Sequence, residues 1–165
     1  MAKSTLKEPK DLLCLKFLDQ ALTIRAAQRL KYTMSLMASN KKSEFEKVNS
    51  LYALDIVKMT HLHMMCMTFK IVLNFLDYHE FGCSKVKHHM TNLARVFALN
   101  ELINDSVPLY ETGFLVQGSA PLIMEAMKLL LTELRPQMIP LVESWIFSDY
   151  TQVSAIGNSY GDIYM

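Results

Sequence analysis

No glycine precedes position 82, and Pro9 is the only proline in that stretch. Folds built from strands and tight turns need frequent Gly, Pro or Asn-Gly punctuation. A first half without it is expected to be long helices. The periodicity agrees: Leu15, Leu18, Leu22, Ala26, Leu30, Met34 and Met37 recur three or four residues apart, which lines them along one helix face. Asp19, Arg25, Arg29 and Ser35 fall off that stripe, and Ser39 to Lys42 mark a loop.

A second helix is expected from about Glu44 to Phe75. Its first half is one-sided, through Phe45, Val48, Tyr52, Ile56 and Met59. From Leu62 to Leu76 it is apolar nearly all round, which predicts burial on most sides. The run Met59 to Leu76 is interrupted by His61, His63, Lys70 and Asn74, and a membrane span needs about 20 largely apolar residues. A buried soluble helix is expected there, not a membrane span. Tyr78 to Cys83 breaks the pattern, and Ser84 is expected to cap a third helix with the stripe Val86, Met90, Leu93 and Phe97. Pro108 predicts a kink or a new start. Gly118-Ser119-Ala120-Pro121 reads as turn, cap and first helical turn. The next stripe is Met124, Met127, Leu131, Leu134, Met138, Leu141 and Trp145, with Pro136 and Pro140 dividing it into two helices in near-continuity. The expected organisation is all-α: a flexible segment over 1–11, an antiparallel helical bundle over 12–147 and an irregular tail over 148–165.

At 165 residues the chain suits one domain with a sizeable core. Seventeen basic against sixteen acidic residues leave a net charge of +1, so nothing electrostatic points to nucleic acid. Lys41, Lys42 and Lys47 interleave with Glu44 and Glu46, which reads as a solvated turn. Cys14, Cys66 and Cys83 are odd in number and lack C-x-x-C spacing; they fit a reducing compartment and are expected to pack as small hydrophobes. Met1 to Lys10 has no apolar signal region behind it, and Met1 reads as a true start.

No P-loop, G-x-G-x-x-G, G-x-S-x-G or H-E-x-x-H motif occurs. Three constellations remain. In His61-Leu62-His63-Met64-Met65-Cys66-Met67 soft ligands accompany imidazoles, yet only His63 and Met67 share a face, so methionine as core filler is the plainer reading. His88 and His89 diverge by roughly 100° on a helix and read as surface histidines. Among Glu101, Asp105, Glu111, Glu125 and Glu133, the first two are i, i+4 neighbours. Like-charge proximity between them would raise one carboxyl, but no nucleophile or second acid stands beside them. No catalytic residue and no metal ligand is assigned, and cofactor-contacting residues stay unknown.

Four segments in order resemble the peroxisomal acyl-CoA oxidase family, closest to its divergent oxidase-like branch. They are Leu22-Thr23-Ile24-Arg25-Ala26-Ala27-Gln28-Arg29, Leu109-Tyr110-Glu111-Thr112-Gly113-Phe114-Leu115, the stretch from Leu134 through Pro136 and Pro140 to Glu143, and Ser154-Ala155-Ile156-Gly157 with Tyr160-Gly161-Asp162-Ile163-Tyr164. Glu143 stands where the family usually has Asp, Tyr160-Gly161 where it has Asp-Gly, and Pro140 where it has a small helix former. The resemblance covers roughly residues 15 to 165 and implies the C-terminal helical domain. It also implies the family reaction: a glutamate takes the α-proton of a fatty acyl-CoA, hydride passes to FAD, and O₂ reoxidises the flavin with formation of H₂O₂. The flavin-binding and catalytic-base regions lie upstream of the matched part, so the resemblance implies a chain that is inert alone and holds no FAD by itself. It implies a peroxisomal location, although Asp162-Ile163-Tyr164-Met165 is not a Ser-Lys-Leu-type address; otherwise the cytoplasm is expected. Fatty acyl-CoA is the family's partner, and a homodimer or docking on a full-length oxidase are the associations open to this chain. An interaction module of that kind is the competing reading, and a small autonomous enzyme using Glu101 or Asp105 is the third.

Overall fold

Ser39 hydrogen-bonds back to its own last turn and Asn40 turns extended, which ends the first helix, α1, at Leu15–Ser39. The computed structural model describes residues 8–148, of which 82% are helical, with no strand among them. The tail expected over 148–165 lies outside the described residues, Ser148 apart. Two compact units divide at Thr132 and Glu133.

In the first unit a 3-10 turn, Pro9–Leu13, buries Leu12 and leads into α1. A capping box of Ser43 and Glu46 starts the short α2, Glu44–Glu46. The expected continuous second helix is interrupted here. A π-helical turn, Lys47–Leu51, and the non-helical Tyr52 precede α3, Ala53–Tyr78. Then come α4, Ser84–Asn104, and α5, Val107–Glu111, with Pro108 in its first turn. This is the new start that proline predicts, since its missing N–H is unpaired there anyway. Cys83, not Ser84, occupies the N-cap of α4.

The loop after α5 closes as a Schellman motif. Phe114 N–H bonds the Leu109 carbonyl at 3.0 Å and Gly113 N–H the Tyr110 carbonyl at 3.0 Å. Gly113 makes the turn at φ +70°, a conformation that costs a Cβ-bearing residue about 1–2 kcal/mol. The turn buries Phe114 and Leu115 and stacks Phe114 on Phe17 at 5.3 Å. Gly118 then precedes α6, Ser119–Leu134, and Ser119 Oγ accepts the Val116 N–H.

Ion pairs fix the helix register. Asp19 meets Lys70 at 2.7 Å and Arg29 meets Asp55 at 2.8 Å, so α1 and α3 run antiparallel. Phe69 stacks on Phe97 at 6.3 Å, joining α3 to α4. The core gathers Leu18, Leu22, Phe69, Ala98, Leu99, Leu102, Leu109 and Leu115, each large side chain contributing about 1.5–3 kcal/mol by leaving water.

Three expected stripes hold only in part, with Leu18, Leu22, Ala26, Met127 and Leu134 buried and Met90 and Phe97 packed on the core. On α1, Leu30 and Met34 are exposed while Arg25 and Thr33 are buried. On α4, Val86 is exposed and full burial falls on Asn92, Ala94, Ala98, Leu99 and Leu102. On α6, Met124 and Leu131 point outward, and Ile123, Ala126, Met127 and Leu130 join the core. The expected burial of α3 on most sides is also corrected: it buries Leu62, Cys66, Phe69 and Leu76 and exposes the opposite apolar face. Among the described residues α3 is the one helix long and apolar enough, by length and composition, to cross a membrane. Cys14 and Cys83 are exposed, so only Cys66 packs as a small hydrophobe.

In the second unit Pro136 converts the chain to a 3-10 turn, Arg135–Gln137, before α7, Met138–Glu143. That is the interruption its ring demands.

Candidate functional site

At the centre of the first unit, α1 presents Arg25 to the last turn of α4. Its side chain is 0% exposed, and Nη2 donates to Glu101 Oε2 at 2.8 Å. Nη1 donates to the Glu101 carbonyl and, at 3.3 Å, to the Asp105 carbonyl. These carbonyls end a helix, where the dipole favours a cation, and the Glu101 carbonyl also accepts the Asp105 N–H at 3.2 Å. Arg25 therefore caps α4 from the side while neutralising the one buried carboxylate among the described residues.

The carboxylate pair singled out by spacing is thus divided between two cations. Glu101 faces Arg25, and Asp105 Oδ2 lies 3.1 Å from Lys58 Nζ. Each carboxylate thus has a cationic partner of its own. A base must also reach a substrate proton, and Glu101 is buried against Arg25.

Asp105 and Lys58 line a polar cleft of about 240 Å³ with Gln28, Arg29, Tyr32, Val107, Pro108 and Glu111. Arg29 holds Asp55 and lies 5.2 Å over the Tyr32 ring. No serine, cysteine or histidine lines this cleft. Glu125 and Glu133 are exposed and away from it.

A second, apolar groove of about 470 Å³ runs between α1 and α3. Thr23, Ala26, Ala27 and Leu30 form one wall; Met59, Thr60, His63, Cys66, Met67 and Lys70 form the other. Thr23 Oγ1 and Cys66 Sγ share a hydrogen bond at 3.6 Å. The hydrogen bond to Asp19 holds the Lys70 ammonium above its ordinary range. Of the histidine–methionine constellation, His63, Cys66 and Met67 line the groove and His61 does not. Among the described residues no three His, Cys, Asp or Glu side chains are grouped to hold a metal. His88 and His89 touch each other at 5.6 Å near the start of α4, and His88 Nε2 lies 3.2 Å from Asn92 Nδ2. Neither lines either of these two clefts.

Sequence reasoning missed Arg25. Its own position carried the signal: at about 100° per residue it falls inside the arc of Leu18, Ala21 and Leu22, and an arginine there needs a buried anion.

The sequence model of the acyl-CoA oxidase family matches residues 14–165. Peroxisomal acyl-coenzyme A oxidase 1 of Phascolarctos cinereus is 24% identical over 149 residues, 89% of this chain and 22% of that protein. Acyl-coenzyme A oxidase acox-1.1 of Caenorhabditis elegans is 24% identical over 86% of this chain and 20% of its own length. The solved structure of Arabidopsis thaliana acyl-CoA oxidase 1 superposes with a TM-score of 0.86 at 21% identity, covering 99% of this chain and 25% of that one. A tomato acyl-CoA oxidase superposes equally well at 20% identity. The chain thus spans a fifth to a quarter of these relatives.

Proposed function

Because the chain belongs to the acyl-CoA oxidase family, we propose that it is the C-terminal helical domain of an acyl-CoA oxidase-like flavoprotein of peroxisomal fatty-acid β-oxidation, inert by itself. The observation that carries this is the state of the carboxylates. Glu101 is committed to Arg25 and Asp105 to Lys58, inside a fold that superposes on the solved oxidases over nearly its whole length. The domain's contribution is architectural. It supplies a helical layer whose buried carboxylate is held by an arginine.

The described residues do not fit FAD. A pyrophosphate needs uncommitted donors, usually backbone amides of a glycine-rich turn opening a helix. Here the cations lining the two clefts, Arg29, Lys58 and Lys70, are each held by an aspartate. Gly82, Gly113 and Gly118 stand in turns with no protein atom within 4 Å of where a Cβ would lie, so no packed neighbour requires glycine there.

Purified chain mixed with FAD and palmitoyl-CoA is expected to release no H₂O₂ and to emerge from gel filtration colourless. One retained flavin per chain, or peroxide formation dependent on the acyl-CoA, would overturn the reading.

A further inference from the structure

We propose that the outward face of α3 is a docking seam for an amphipathic helix belonging to the part of an acyl-CoA oxidase chain outside this domain. The inference rests on the functional reading above and names the surface through which that reading operates. Val57, Met64, Ile71 and Tyr78 recur every seven residues and are 65%, 54%, 64% and 86% exposed. Met67 and Phe75 lie beside them, also exposed. Their direction is opposite to Leu62, Phe69 and Leu76, which face the core. A seven-residue apolar repeat is the pattern by which one helix accepts the knobs of another, and an exposed apolar row of this length, with Thr60 and Thr68 interleaved, is the mark of an interface.

Charge placement selects a helix over a lipid surface. A helix lying on a membrane lines its polar side with free Lys and Arg. On α3 both lysines are occupied: Lys58 by Asp105 and Lys70 by Asp19. No Asp, Glu, Lys or Arg falls on the seam itself. The groove between α1 and α3 adjoins the seam through Thr60 and Met67, and Ala26 and Ala27 on its far wall leave room for a neighbouring backbone.

The occupant follows from proportion. The Arabidopsis oxidase contains this same fold as a quarter of its chain. Three quarters of such a protein is therefore available to cover the face, tethered at high effective concentration.

The test uses Arabidopsis acyl-CoA oxidase 1 in two forms: one lacking the matched quarter, and one in which this chain replaces it. This chain is expected to bind the shortened oxidase in analytical ultracentrifugation. Ile71→Glu should weaken the complex roughly tenfold or more, since a charge would enter an apolar contact. Leu131→Glu, also exposed, should leave it unchanged. In the chimera Ile71→Glu should lower the melting temperature, although it leaves that of the isolated chain unaltered. Val57→Gln serves as a second variant if Ile71→Glu perturbs helicity. Binding that ignores both seam variants overturns the seam and leaves the functional reading standing. Self-association abolished by Ile71→Glu, with no oxidase binding, overturns it in favour of a second copy. Uptake by phosphatidylcholine vesicles without oxidase binding overturns it in favour of lipid. No binding in either form, with a chimera that cannot fold, defeats the inference and the functional reading together.

Discussion

The centre of the first unit and the outer face of α3 invert the usual distribution of polarity. A fully buried arginine lies at the centre, while valine, methionine and isoleucine face solvent on α3. Arg25 tolerates burial because a carboxylate and two helix-end carbonyls surround it. The α3 residues are exposed because the single stripe of α3 that meets the core is already filled by Leu62, Phe69 and Leu76. The difference teaches that satisfaction by neighbours, more than side-chain polarity, decides what this fold encloses.

The sharpest way to break that comparison is at its centre. Arg25→Ala leaves Glu101 buried and uncompensated, a change that costs about 3–5 kcal/mol. Against a total of about 5–15 kcal/mol, calorimetry should find a greatly lowered melting temperature. The double replacement Arg25→Met with Glu101→Met should return much of the loss. A single variant melting like the parent would deny the centre its special status.

A contrast of intermediate size lies on α6. Leu130→Ala should cost about 2–5 kcal/mol in urea unfolding, through lost transfer energy and a cavity. Leu131→Ala, at 49% exposure against 1% for its neighbour, should stay within about 0.5 kcal/mol. The reverse order would reinstate the Met124–Leu131 seam and move the core to the other side of this helix.

The smallest effect concerns thiols in the two settings. Backbone N–H groups of Lys85 and Val86 hold the exposed Cys83 thiol below its ordinary value of 9.0. Iodoacetamide labelling followed by mass spectrometry should therefore show Cys83 reaching half its maximal rate below pH 9.0. Buried Cys66 should react last, at the pace of unfolding. Equal rates for the two would mean that Cys66 is not enclosed.

Much of the helical plan was legible in the sequence. Missing glycines implied long helices, and Pro108, Gly118 and Pro136 each mark a real boundary. Helix phase was less legible. On α6, Leu129, Leu130 and Leu131 are consecutive, and Met127 and Leu134 fit the inward and outward stripes alike. A helix apolar over most of its circumference has no unique phase until a partner selects one. The all-round apolarity of α3 likewise combined two opposite faces that periodicity could not separate. At the candidate site, the carboxylate spacing singled out Glu101 and Asp105. Their chemistry depended on Arg25 and Lys58, distant in sequence and invisible to local pattern. The resemblance segments around Arg25 and Gly113 correspond to a buried ion pair and a helix-ending turn, which are features of architecture.

The Arg25–Glu101 contact joins residues 76 positions apart. During synthesis α1 is complete long before α4 exists, and its inward face carries a charge that cannot yet be enclosed. The α1–α3 ion pairs span shorter separations, while the partner of Arg25 lies at the end of α4. Non-local closure of this kind slows folding and prolongs exposure of apolar surface. The arginine thus ties the first long helix to one that is made much later, and its enclosure is a late, long-range requirement of the fold.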